Sequence, residues 1–319
     1  MGLTLKNPLI VSSSSLAKDI TGIKSLVAAG AAAIVLKSLF EEQLEAEVES
    51  YRTDSFSGFH TEAYDYIEHI SSEFGPREYL ELISRAKKEI SIPIIASINC
   101  INPKQWSDYA AKIAAAGADG LELNIAFIPF DPDIDGPSIE AQYLKTIEKV
   151  KKTISIPIAV KLGFYFSSLP NFLKKLDQLG VDAVVLFNRF YQFDIDVELE
   201  KLKPGYLLST SAELHLALRW IALMSHKVNC DLAATTGIHS GADVIKVLLA
   251  GAKTAQLCST LFINGPDQIG RILAQLDEWM KKKNYQQICE FQGKLNQLCS
   301  QHPDAYERIQ YIQALVGID

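Results

Sequence analysis

Short all-apolar runs alternate along the chain with longer stretches in which apolar residues recur every three or four positions. Four times a helical stretch closes on a glycine, a turn of one or two residues follows, and β-branched and aliphatic residues take over: LVAAGAAAIVLKS around Gly30, AAAGADGLELN around Gly117, LDQLGVDAVVLFN around Gly180 and LLAGAKTAQLCS around Gly251. Glycine suits the position after a helix because it takes the left-handed conformation without steric cost, and an all-apolar run reads as a strand buried on both faces. Two further strands open on proline, ISIPIIASIN at 90–99 and ISIPIAVKL at 154–162, where the missing N–H costs no ladder bond. PLIVSS at 8–13 and DLAATT at 231–236 bring the strand candidates to eight. Amphipathic segments such as PKQWSDYAAKIAAAG at 103–117 and LPNFLKKLDQLG at 169–180 lie between them. Strict alternation means parallel pairing with right-handed crossovers, and eight units predict an α/β (β/α)8 TIM barrel. An open Rossmann-like sheet is the competing architecture, and the lack of G-x-G-x-x-G after any strand counts against it.

Two segments depart from the repeat. Residues 40–76 form a long polar and aromatic insertion after the second strand, and an insertion of that length in a compact domain is more often functional than idle. Beyond about 265, PDQIGRILAQLDEWMKKKN reads as the last barrel helix and YQQICEFQGKLNQL as an extra helix, giving a helical extension over about 284–319. With no Gly/Ser/Pro-rich linker, residues 1–319 read as a single domain.

Composition narrows the function. The 319 residues carry 31 Lys+Arg against 38 Asp+Glu, a formal charge of −7, which excludes nucleic-acid binding by bulk charge. An apolar content of 48% with 22% charged residues is that of a packed globule. Five scattered cysteines without a C-x-x-C pair leave no zinc, iron–sulfur or disulfide framework and fit a reducing cytosol, so no metal is expected. The opening MGLTLKNPLIVSSSSLAKD lacks a leader pattern, and no apolar run is long enough to span a membrane. The expected location is the cytoplasm.

Barrels of this kind carry their chemistry at the C-terminal strand ends. Those positions hold Ser12 to Ser15, Lys37-Ser38, Asn99-Cys100, Asn124, Lys161, Asn188-Arg189, Thr235-Thr236-Gly237 and Cys258-Ser259. A strand lysine is rarely buried unless its ammonium meets a partner. The small and hydroxyl residues of ATTGIHSG and QLCSTL suit a phosphate held by backbone N–H groups after the last two strands. Plainer readings stand beside these. Lys37 and Lys161 read equally as solvated lysines, Ser15 or Asp19 as a helix cap, Asn124 and Asn188 as Asx-turn caps, and Cys258 as a small buried hydrophobe. None of the six histidines shows ligand spacing.

In this order, KNPLIVSSS, IVLKS, SIN, GLELNI, IAVKL, VVLFN, TTGI-x-x-G-x-D, AGA-x-x-x-QLCS and YQQICEFQGKL resemble the dihydroorotate dehydrogenases, FMN-dependent barrels of pyrimidine synthesis, and among them the soluble class. SLFEEQ, LFNRFYQ-x-DID, LALRWIA and DLAATTGIH resemble most a set of bacterial dihydroorotate dehydrogenase-like proteins. The resemblance implies FMN as cofactor. It places Ser12, Ser13 and Ser14 against the flavin, Lys37 and Ser38 at the isoalloxazine, Lys161 beneath its N1 and O2, and Asn124 and Asn188 at the flavin and a pyrimidine-like substrate. Thr236-Gly237 and Cys258-Ser259 fall on the family's phosphate pairs, and Ser209-Thr210 on a Gly-Gly that lies by the FMN. A homodimer and an electron-transfer partner protein are implied on the same ground, with neither nucleic acid nor membrane.

One departure bears on the chemistry. Where the family reads N-x-S-C-P-N, with the cysteine removing the C5 proton of dihydroorotate, this chain reads Asn124-Ile125-Ala126-Phe127-Ile128-Pro129. Phenylalanine accepts no proton. Loss of a positioned base costs about a hundred- to ten-thousandfold. Tyr165, Cys100, Tyr64 and Asp65 are candidate replacements. Two functions follow, with a third in reserve: an FMN oxidoreductase acting on a CH–CH bond of dihydroorotate or a similar ring, an FMN protein that has lost that reaction and passes electrons to a protein partner or another ene substrate, or, in reserve, a flavin-free barrel kept for assembly.

Overall fold

Wherever the pattern closes a helix on glycine, the backbone turns left-handed: φ is 110° at Gly30, 95° at Gly117, 76° at Gly180 and 114° at Gly251. The computed structural model describes residues 1–40, 76–99, 103–189, 193–205 and 208–306, with the isolated positions 312 and 316. Residues 41–75, nearly all of the expected insertion, lie outside the described residues, as do Cys100, Tyr64 and Asp65. The chain divides into two compact units.

The first unit comprises residues 1–7, 11–161 and 165–167. In it β1 (Leu9–Val11, shared with the second unit) leads to α1 (Ile20–Ala28), β2 (Ala33–Val35), its short continuation β3 (Leu39–Phe40) and α2 (Pro76–Glu89). Then come β4 (Ile94–Asn99), α3 (Pro103–Ala115), β5 (Gly120–Asn124), α4 (Gly136–Lys151) and β6 (Ile158–Leu162). Strands β2, β4, β5 and β6 pair in parallel, with Ile34 opposite Ile94, Ser97 opposite Glu122 and Asn124 opposite Lys161. Their apolar side chains are almost wholly buried, and Trp106 of α3 and Tyr79 of α2 are completely so. Each buried Leu or Ile of this kind contributes about 1.5–3 kcal/mol. Of the two caps the sequence offers for α1, Asp19 is the one used: its Oδ1 accepts from Gly22 N–H at 2.8 Å. Asp119, at the turn into β5, joins α2 to β4 by pairing Lys87 at 2.7 Å while accepting from Ile94 N–H.

The second unit comprises residues 8–10, 162–164 and 168–319. It contains α5 (Leu169–Gln178), β7 (Ala183–Leu186), the antiparallel hairpin β8 (Phe193–Asp196) and β9 (Lys201–Pro204), and α6 (Leu214–Met224). After these come β10 (Asp231–Thr235), α7 (Gly241–Ala250), β11 (Thr254–Leu257), α8 (Ser259–Asn264) and α9 (Gln268–Lys282). Strands β7, β10 and β11 pair in parallel. Residues 285–300, which read as an extra helix, are turns with one 3-10 turn at Ile288–Glu290, interrupted by Gly293 at φ 75°. Phe291 is nevertheless fully buried against Trp279, ring centroids 5.0 Å apart.

Parallel strands β1, β2, β4, β5, β6, β7, β10 and β11, alternating with helices, are the eight that the pattern predicts, and the fold is a (β/α)8 barrel. The hairpin β8–β9 was not foreseen. Its signal is the alternation FDIDVEL, in which Phe193, Ile195, Val197 and Leu199 are all exposed. Among the described residues no helix is long and apolar enough to cross a membrane.

Candidate functional site

The C-terminal ends of the strands gather the expected residues into two clusters, one within each unit. In the first, Lys161 points from β6 and is only 6% exposed, which removes the reading of a solvated lysine. Its Nζ donates to Ser12 Oγ at 3.0 Å and lies 3.6 Å from Glu122 Oε1. Glu122, wholly buried in the middle of β5, was missed in the sequence. Beside this group runs a chain of hydroxyls. Ser13 and Ser38 share a hydrogen bond at 3.0 Å, and Ser38 and Ser97 another at 2.8 Å. Tyr79 closes the chain by clamping the backbone of Ser97, accepting from its N–H at 2.7 Å and donating to its carbonyl at 3.0 Å. Burial pushes the Tyr79 phenol well above its ordinary range, with the nearby Glu122 carboxylate adding to the effect. Tyr79 is therefore a fixed neutral donor. Among the described residues Ser14 Oγ is buried without a hydrogen-bond partner. Lys37 is half-buried just past β2, and Asn124 ends β5 beside Lys161 in the register.

Phe127, three residues beyond the end of β5, belongs to a different environment. Its backbone N–H donates to Tyr143 Oη at 3.3 Å, and its ring meets the Tyr143 ring edge-on, centroids 4.8 Å apart. Phe166 packs on the other side of Tyr143 at 5.6 Å. Burial pushes the Tyr143 hydroxyl up to about 12, so it is no base at neutral pH. Tyr165, the one suggested replacement base among the described residues, is 45% exposed.

The second unit holds the hydroxyl-rich cluster. Ser209 N–H donates to Ser259 Oγ at 2.8 Å, and Gly237 N–H donates to Ser209 Oγ at 3.2 Å. His239 Nε2 stands 3.4 Å from that same Ser209 hydroxyl, a neighbour the sequence reading did not single out. Backbone amides thus converge on hydroxyl oxygens, the kind of acceptor an anion's oxygen would replace. Gly237 is obligatory. Its φ is 76°, and a Cβ there would lie 2.3 Å from Leu214 N at the start of α6. Thr236 also has a positive φ, 71°, unusual for a β-branched residue, and its Oγ1 donates to Phe187 O at 2.9 Å. The Thr210 amide is taken by the Glu213 carboxylate at 2.6 Å in a capping box, while Cys258 is half-buried ahead of α8. Asn188 and Arg189, just past β7, line a cavity of about 400 Å³ with Phe164, Phe187, Glu213 and Thr236, and Arg189 Nε bonds Glu213 at 2.8 Å. A groove of about 600 Å³ over α2 and α3 is larger, but long exposed side chains such as Arg77 and Lys88 form it, and no strand residue lines it.

A (β/α)8 fold with a buried lysine and hydroxyls at one set of strand ends and amide-lined hydroxyls at another defines a class of small-molecule enzymes. A family model described as dihydroorotate dehydrogenase matches residues 1–280, and the chain belongs to that family of flavoprotein oxidoreductases. It is similar to the dihydroorotate dehydrogenase B (NAD(+)) catalytic subunit of Thermoplasma volcanium, 25% identical over 302 residues covering 92% of this chain and 95% of the relative. The subunit of the same name from Methanocaldococcus jannaschii is 24% identical over 299 residues, 89% of this chain and 92% of the relative. Dihydroorotate dehydrogenase A (fumarate) of Lactococcus lactis is 27% identical over 240 residues, 69% of this chain and 75% of the relative.

Proposed function

We propose that the protein is an FMN-dependent oxidoreductase acting on a CH–CH bond of dihydroorotate or a similar ring. The observation that carries this reading is Lys161, a lysine buried inside a strand with Ser12 and Glu122 around its ammonium. FMN, when bound, would supply the acceptor for the hydride leaving the substrate carbon. Lys161 supplies a positive charge where the added electron pair places negative charge, in a setting with little water to screen it. Ser14, whose buried hydroxyl has no partner among the described residues, fits the polar edge of a flavin ring. The amides of Ser209 and Gly237 and the hydroxyls of Ser209 and Ser259 fit the cofactor phosphate, whose oxygens would take the place of the hydroxyl acceptors, with His239 alongside. Asn188 offers amide hydrogen bonds to a planar ring in a cavity that suits a small substrate.

A second reading rests on Phe127. Oxidation of a CH–CH bond releases a proton as well as a hydride, and at this position the chain offers an aromatic ring packed on Tyr143. That arrangement favours a flavoprotein whose electrons come from or go to a protein partner or another ene substrate. An anaerobic visible spectrum of the FMN-loaded protein decides between the two. Bleaching by L-dihydroorotate supports the first, bleaching by dithionite alone supports the second, and failure to hold FMN at all contradicts both.

A further inference from the structure

β5 carries a carboxylate where a strand buried on both faces ordinarily has an apolar residue. Glu122 lies between Leu121 and Leu123, wholly buried, with Ser97 and Ala159 as its register partners on β4 and β6. The Glu122–Lys161 pair has side-chain exposures of 1% and 7% at 3.6 Å, and the ammonium makes its hydrogen bond to Ser12 instead. Withdrawing two ions from water is costly, and a buried pair is often no more stabilising than apolar side chains of the same size. Stability alone is therefore a poor reason for Glu122.

We propose that Glu122 is a positioning residue that holds the Lys161 ammonium beside Ser12 before any ligand arrives. A positive charge fixed in advance costs no reorganisation when negative charge develops near it, whereas an unpaired buried lysine favours its neutral form. Besides the pair itself, the titratable group known to face Glu122 is Tyr79 of α2, which stays a neutral phenol. The proposal deepens the flavin reading and rests on it only for the purpose of the charge.

The test is the melting temperature of the full chain, without cofactor, across pH for wild type, E122Q, K161M and the double variant. In K161M a lone buried carboxylate binds its proton more tightly than the ordinary value of about 4.3, so stability present at low pH is lost as pH rises. Relative to wild type, K161M should fall by a few degrees more at pH 8 than at pH 5. In E122Q a lone ammonium releases its proton below the ordinary value of about 10.4, so its deficit is largest at neutral pH and shrinks toward pH 10. The double variant should show neither trend. Profiles of both single variants parallel to wild type would overturn the proposal. If a single variant does not fold, the double decides: a folded double supports the pairing, and a double no better than the single overturns it. FMN affinity separates the pairing from the cofactor assignment. Measured against wild type at each pH, the affinity of E122Q should drop about a further tenfold from pH 6 to pH 9. A wild type that binds no FMN removes the cofactor assignment and leaves the melting profiles to judge the pair.

Discussion

Lys161 and Phe127 both stand at the C-terminal edges of first-unit strands, yet polar groups surround one and aromatic rings the other. Around Lys161 are a hydroxyl at 3.0 Å and a carboxylate at 3.6 Å; around Phe127 are the rings of Tyr143 and, behind it, Phe166. Hydride transfer needs charge stabilisation, and proton transfer needs a group that titrates near neutrality. On the proposed reading, the contrast teaches that the two halves of one reaction are separable in a scaffold: the groups beside Lys161 would serve the electron half, whereas the Tyr143 and Phe166 rings on the Phe127 side offer, among the described residues, no group that titrates near neutrality.

Lys161→Ala breaks the comparison from its charged side. It should slow flavin reduction by about 100-fold with whichever donor the wild type accepts, measured by anaerobic stopped-flow absorbance. Phe127→Cys attacks the other side by restoring a thiol, and bleaching by dihydroorotate should accelerate by about 100-fold in the same assay. An unchanged rate would show that more than the base is missing, and the comparison would then narrow to Lys161 alone. Gly237→Ala probes the scaffold under the hydroxyl cluster. The added methyl meets Leu214 N at 2.3 Å with φ at 76°, and thermal unfolding should report a loss of about 2–3 kcal/mol. Asp19→Ala removes the cap of α1 and should cost about 1 kcal/mol in the same measurement without altering flavin reduction. Thr236→Gly should change stability least. Relief of the positive φ gains about 1 kcal/mol, and loss of the bond to Phe187 O costs a similar amount.

The eight strands were legible because most are short, largely apolar runs introduced by glycine or proline, a pattern that burial on both faces enforces. Lys161 was legible for the converse reason, a charge inside such a run. Glu122 was equally available by that logic, in GLELN, but ELN reads as a strand end unless the register with Lys161 is known. The serine chain from Ser13 to Ser97 and its clamp by Tyr79 were hidden, since they join residues up to 84 positions apart through side-chain geometry alone. His239 shows no ligand spacing and acquires a neighbour only when Ser209 folds beside it. The turns of 285–300 defeated the helical reading because burial of Phe291 supplies an apolar period that Gly293 then breaks.

The most direct test of the central claim is a fluorescence titration of FMN with the wild-type protein and with Lys161→Met. Saturable one-to-one quenching by wild type, weakened at least about tenfold by the substitution, is the expected result. Saturable binding of equal strength in both proteins, or none in either, would contradict the assignment of Lys161 to a flavin.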